Sequence, residues 1–510
     1  MLRDHFHFIS DPPDHIGREF VIAFMDNFEL SRVIQNLECF ITMATTAVIP
    51  VVNVEITSPA WILSGPLNIQ ITLTPGVVEQ VLIPKKFRLV GSQIEGKGIL
   101  IQSDDNIVVF GLNKQYRSTD GFVSIPTDSL GTEYYTVAYY RPYRISEFAI
   151  CGVEDSTTVS IMLASCANCG GLQFQSVSYS AGQTISVQLN RCQCVQIQIP
   201  NRRDQTGTHI MSDKPVSVFS GNKKTNIGSG GSQDHIVEQM TPVKTWGKRF
   251  VTVPIPARTT GDYFYFIASE DSTTITFDCT AQSGTITLSS AGDFARRTFE
   301  SSDFCYVESD KAVLLVQMVL SQLQNSNELA DPSMILIVPI EQYAADYTYT
   351  TPTSASDPYI NYFMFVVESS KVSGLRLDGG SIPGTAVTNN IPGTNLIGGY
   401  FTVTPGQHRV YHVSPIVVFE GLLFGKGNLE SYGYPAGFRL APINEVCLCY
   451  QDTTKLLCFF NLYCDCFYLK FNQFASSVIH LCKSWAPLVV IDFGGNILLI
   501  HLRQAGTFSK

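Results

Sequence analysis

The chain has 510 residues, 45% hydrophobic but only 15% charged, with a net charge of −10. Several buried cores fit in that length. A charged fraction below the ~25% of typical soluble proteins, with 22 Tyr and 32 Phe, favours strands over helices. The acidic balance, with no Lys/Arg-rich run interleaved with aromatics, excludes a nucleic-acid surface.

Residues 1–16 are polar, include Asp11-Pro-Pro13, and read as a lead-in loop. They lack the apolar h-region of ~7–15 residues that marks a signal peptide. The expectation is a secreted chain whose leader lies outside this sequence, with a cytosolic protein as the alternative. Gly17-Arg-Glu-Phe20 then opens an apolar run. The opening returns as Gly131-Thr-Glu-Tyr-Tyr135 and Gly247-Lys-Arg-Phe-Val251, at steps of 114 and 116 residues, with a degenerate copy near Ala345-Asp-Tyr347.

A second shared element is FAICGVEDSTTVSI at Phe148–Ile161 and FYFIASEDSTTITF at Phe264–Phe277, offset by 116 with EDSTT identical. It predicts a β-hairpin: two alternating strands around a Glu-Asp-Ser turn. Phe363–Leu377 echoes it, and Val52–Ile56 is a looser version. A third element is a set of extended connectors ending in proline: Asp120–Pro126, Asp234–Pro242 and Asp331–Pro339. Proline fixes φ and suits a strand edge or turn.

The element that organises the chain is SDKPVSVFSG at Ser212–Gly221. It recurs as SDDNIVVFG at Ser103–Gly111, SDKAVLLVQ at Ser309–Gln317 and SPIVVFEG at Ser414–Gly421. Each reads as a polar turn followed by a short strand. Aligned at Phe110, Phe219, Val316 and Phe419, the copies stand at steps of 109, 97 and 103 residues, the mark of duplicated units.

The expected fold is therefore all-β with little helix: tandem repeated β-sandwich units. A β-propeller is the alternative, with each repeat worth two blades. The units span 17–115, 131–224, 247–320 and 343–440, joined by connectors 116–130, 225–246 and 321–342. Residues 441–510 are Cys- and Phe-rich and carry no unit pattern, so they read as a tail foreign to the native fold. Asn461, Asp465, Lys470, Pro487 and Asp492 interrupt its apolar runs, so no clear membrane span of ~20 apolar residues is expected.

Cys279 follows the returning strand of the third unit and Cys305 precedes its Ser-Asp strand, which predicts a bridge between them. In the second unit Cys166 and Cys169 hold the first place, and Cys192 and Cys194 the second. Two bridges across the same strands are expected there, with a four-thiolate zinc site as the alternative. Paired cysteines suggest an oxidising compartment.

No P-loop, dinucleotide fingerprint or His-Glu-x-x-His occurs, so neither cofactor nor metal is expected, and no catalytic residue is assigned. Gly228-Ser-Gly-Gly-Ser232 with Asp234-His235 invites a hydrolase reading, but the run lacks the Gly-x-Ser-x-Gly elbow. Glu154-Asp155 and Glu270-Asp271 read as solvated turns, since two carboxylates fall short of the ~6–8 oxygens Ca²⁺ takes.

In order along residues 17–440, GREFVIAF, LGTEYYTVAY, the EDSTT segments, SDKPVSVFSG, QDHIVEQMTPVKTWGKRFVTVPI and SYGYPAGFRL resemble the N-terminal region of the IgGFc-binding protein family. The resemblance implies an extracellular, non-enzymatic binding region of secreted mucus proteins, holding a protein or glycoprotein ligand; in the mammalian member that ligand is immunoglobulin Fc. A hydrolase on a β scaffold and a self-assembling matrix or adhesion protein stand as the alternatives.

Overall fold

Three long strands, Ile99–Gln115, His209–Thr225 and Cys305–Met318, carry the architecture of a computed structural model. It describes residues 14–28, 37–166, 169–199, 203–323, 331–352, 358–428, 430–444 and four short strands beyond. Residues 1–441 form one compact body and 442–510 another.

Each long strand runs straight through its Ser-Asp motif, which is a bulge rather than the expected turn. Gly17 faces Ile107 while Glu19 faces Gln102. Gly131 faces Val216 while Glu133 faces Met211, and Gly247 faces Val313 while Arg249 faces Glu308. A bulge bends its strand and raises the local twist, so each long strand has two halves with different neighbours. In the second repeat the first half lies between Gly131–Tyr135 and Thr157–Met162. The second half lies between Ser146–Gly152 and Asp234–Gln239. The first and third repeats follow the same plan.

The two layers of each of these repeats are thus halves of one sheet of seven strands, to which Gln93–Glu95 of the first repeat adds an eighth in the second. In the first and third repeats the sheet curls until its outer strands meet: Asn68–Leu73 with Val78–Ile83, and Ser283–Leu288 with Phe294–Phe299. The outer half alternates between buried and exposed residues, as in Val52–Thr57. The inner half is buried on both faces, as in Leu37–Met43 and Ser146–Gly152. The fourth repeat has two separate sheets, of four and five strands. Its Ser414-Pro415 copy is a turn, not a bulged strand; proline has no N–H to give a ladder.

The EDSTT segments are not hairpins. Ser146–Gly152 and Thr157–Met162 do not pair with each other; they lie end to end along one edge of His209–Thr225. EDSTT is the arch between the two half-sheets, held by its Asp and first Thr side chains. Thr157 and Thr273 donate their hydroxyls to the carbonyls of Glu154 and Glu270 at 2.8 and 2.7 Å. Asp155 and Asp271 accept the N–H of Arg191 and Ala291 at 3.0 and 2.9 Å. The Ser-Asp bulge grips the same arch. Asp104, Asp213 and Asp310 accept the N–H of Asn53, Thr158 and Thr274, each at 2.8 Å. Lys214 and Lys311 donate to the carbonyls of Asp155 and Asp271.

The opening glycines and the connector prolines also meet. A Cβ on Gly131 would stand 2.5 Å from the Cβ of Pro242, and Gly17 and Gly247 are as tightly placed against Pro126 and Pro339.

The last strand of each repeat is an edge strand: Ser118–Val123, Asp234–Gln239, Met334–Leu336 and Glu430–Pro435. The four touch in cyclic order and form a hub. A buried edge needs partners for its free N–H groups, and here carboxylates supply them. Asp120 is fully buried. It accepts N–H groups from Gly121 (3.0 Å), Val237 (3.1 Å), Met334 (3.3 Å) and Gly433 (3.3 Å), one from each repeat. Glu238 accepts the N–H of Leu336 at 3.1 Å. The ring closes where His15 donates its backbone N–H to the Phe438 carbonyl at 3.1 Å and Asp14 bridges Arg439.

In the second body Cys449–Gln451 pairs with Leu456–Cys458, and Leu488–Ile491 with Ile497–Ile500. The expectation that this tail is foreign to the fold lies largely outside the described residues.

Candidate binding surface

The predicted bridging cysteines are placed as follows. Cys279 and Cys305 face each other across adjacent strands and are joined. The second repeat differs from expectation: Cys166 is joined to Cys169 across a short loop, and Cys194 to Cys151 directly opposite it. Cys192 is a buried free thiol, pushed up to about 12 chiefly by burial. The two cross-strand bridges are therefore replaced by one, because Cys151 stands in register with Cys194 and the 166–169 pair closes on itself. The zinc alternative falls with them, since three of its four thiols, Cys166, Cys169 and Cys194, are consumed. Among the described residues no group of three or more His, Cys, Asp or Glu is placed to hold a metal.

Asp234 and His235 belong to the hub. Both are fully buried. Asp234 accepts the N–H groups of Thr119 and His235. The His235 ring uses both nitrogens: Nε2 accepts from the Asn113 amide at 3.0 Å and Nδ1 faces the Lys223 carbonyl at 3.3 Å. Burial lowers this ring to about 3, helped by Arg88. A neutral ring with both nitrogens occupied is no general base. Ser232 is spent elsewhere, its Oγ accepting the N–H of Gln322 at 2.8 Å.

The candidate for recognition is the seam between the first and fourth repeats. A groove of about 510 Å³ lies there. One wall is small and apolar, with Met43, Ala44, Ala47 and Pro75; the other is polar, with Thr348, Gln407, His408 and Arg409. Arg409 makes a two-pronged pair with Asp346 at 2.9 and 2.5 Å. His408 Nδ1 meets Asp378 Oδ2 at 2.8 Å. Thr45 bridges the seam to Asp346 at 3.3 Å.

Beside the groove the loop after Leu37–Met43 lifts Val48 into solvent, 84% exposed. That tip is anchored from below. Asp105, in the bulge of the first long strand, accepts the N–H groups of Val48 and Ile49 at 2.6 and 3.0 Å and pairs with Arg18 at 3.0 Å. Burial pushes Asp105 up, but the N–H groups of Asn106, Val48 and Ile49, with Arg18, outweigh it and hold the carboxyl below its usual range. An exposed apolar tip on a held loop beside a charge-balanced groove is suited to contact with a protein surface. No sequence signal singled out this groove, because its walls come from segments some 300 residues apart in the chain. Among the described residues no helix is long and apolar enough to cross a membrane.

Residues 120–420 match the family described as IgGFc binding protein. The chain is 25% identical over 438 residues to the IgGFc-binding protein of Homo sapiens, an alignment covering 84% of this chain and 8% of that relative. It thus spans about 8% of the relative's length. With the family match running from the Asp120 hub carboxylate to Glu420 in the fourth repeat, the chain belongs to the IgGFc-binding protein family.

Proposed function

We propose that this chain is an extracellular, non-enzymatic binding region that holds a protein or glycoprotein ligand at the seam between its first and fourth repeats. The observation that carries the reading is the family match over residues 120–420, whose human relative is named for binding the Fc of IgG. Immunoglobulin Fc is accordingly the first ligand to try. Two features support the rest. The disulfides fit an oxidising compartment. The Asp155, Asp271 and Asp234 carboxylates of the motifs weighed as catalytic are occupied in holding arches or the hub together.

The test is surface plasmon resonance of the full chain against human Fc and a panel of secreted glycoproteins, with Arg409→Glu as the groove variant. Saturable binding to a member of the panel, weakened about tenfold or more by the substitution (~1.4 kcal/mol), is the expected result. Binding untouched by the substitution would remove the groove from the reading; no binding across the panel would remove the reading itself.

A further inference from the structure

One end of the hub gathers carboxylates that neither the arches nor the groove use. Ser118, Asp234 and Asp331 stand eight residues ahead of Pro126, Pro242 and Pro339, and Glu430 opens the fourth hub strand. The same end of three hub strands is thus acidic. Asp234 is fully buried, Asp331 1% exposed and Glu430 8% exposed.

Two of the three are satisfied. Asp234 accepts from Thr119, from His235 and, at 3.4 Å, from the N–H of Ser431. Glu430 accepts the Arg117 N–H at 3.0 Å and the Tyr359 hydroxyl at 2.9 Å. Asp331 is different. Its backbone carbonyl takes the Ser431 hydroxyl at 2.5 Å and its carboxylate faces Ser232, yet its Oδ1 has no hydrogen-bond partner among the described residues. The groups acting on it come from each neighbouring element: Ser232 from the connector, Lys224 from the second long strand, and Glu430 from the fourth hub strand. Asp331 in turn bears on Asp234, which also feels Asp120. Lys224 donates to the Arg117 carbonyl at 2.8 Å, lies over the Phe28 ring and has Arg144 nearby. One lysine thus faces three buried carboxylates. An uncompensated buried charge costs several kcal/mol and is relieved by protonation.

We propose that this end of the hub is a proton-operated clasp: with a proton on Asp331 the four repeats hold together most tightly, and its loss loosens their junction. Burial, ahead of every other influence, pushes the Asp331 carboxyl up to about 7. A carboxyl raised in the folded state binds more protons there than in the unfolded chain, whose value is ~3.9. The stability it confers is therefore greatest at low pH and is lost as pH rises through about 7. His15 and His235 act in the opposite sense, since burial lowers them to about 4 and about 3. Their effect is felt mainly below the ordinary histidine value of ~6.5 and, like that of the Asp120, Asp234 and Glu238 carboxyls that burial also raises, is common to the native chain and an Asp331 variant, so the difference between the two profiles from about pH 6.5 to about 8.5 reads Asp331.

The experiment is the melting temperature of the full chain across that window, for the native sequence and for Asp331→Asn, which mimics the protonated acid. The native protein is expected to lose melting temperature on going to the alkaline end. Asp331→Asn should show a clearly smaller loss and melt above the native protein there. Parallel profiles would overturn the clasp. If the variant does not fold, hydrogen exchange of the native protein decides. Hub amides such as Val237, Met334 and Gly433, corrected for intrinsic exchange, should be less protected at alkaline than at neutral pH. Equal protection would overturn the proposal.

Discussion

Asp120 Oδ2 lies 3.1 Å from the backbone nitrogen of Val237, 117 residues away in the next repeat. The same carboxylate also takes N–H groups from the third and fourth repeats. The edge strands of four repeats are joined by one side chain that accepts where each would have donated into nothing.

Replacing Asp120 with alanine should therefore cost more than an ordinary core substitution. Several buried N–H groups lose their acceptor at once, and each orphaned donor costs roughly 1–3 kcal/mol. We expect a loss of about 3 kcal/mol or more in denaturant unfolding. A loss below about 1 kcal/mol would mean that water or a neighbour replaces the carboxylate.

The grip of the Ser-Asp bulge on the EDSTT arch gives a paired prediction. Asp213→Ala and Asp310→Ala remove the same 2.8 Å bond in two repeats. Both sites are near the surface, so each change should cost about 0.5–1.5 kcal/mol, with faster amide exchange at Thr158 or Thr274. Unequal effects would show that the arches are not equivalent.

Gly131 tests the contact between opening and connector. Alanine there drives a methyl into Pro242, and overpacking of this kind costs about 1–3 kcal/mol. Measured stability should fall without loss of any hydrogen bond.

Peptide mapping should return Cys151–Cys194, Cys166–Cys169 and Cys279–Cys305, with Cys192 unmodified by alkylating reagents until the chain unfolds. Cys305→Ser, which opens the bridge between residues 26 apart, should lower stability by about 3 kcal/mol on the chain-entropy estimate.

Much of the fold is visible in the residues themselves. The all-β class follows from alternation and low charge, and the repeats from recurrent Ser-Asp, EDSTT and Gly-x-x-aromatic segments. What those segments do was hidden for a physical reason. Phe264–Phe277 alternates in the same way whether its halves pair with each other or lie end to end beside a third strand, since alternation reports which face is buried and not who the neighbour is. A bulge and a turn both need a short polar stretch, so the residues alone do not tell them apart. Cys151 escaped pairing because its partner is set by register across strands 43 residues apart, not by recurrence between repeats. Asp120 looked like a connector residue, and the seam groove carried no local signature. Both arise only when the first and fourth repeats come round to meet.

The most direct test of the account is hydrogen exchange with mass-spectrometric readout on the full chain, with and without a bound Fc or other secreted glycoprotein. The account predicts protection concentrated in residues 44–51 and 404–412, on the two sides of the seam, with the hub amides already protected in the free chain. Protection confined to another face, or a ligand that leaves both seam segments unchanged, would contradict it.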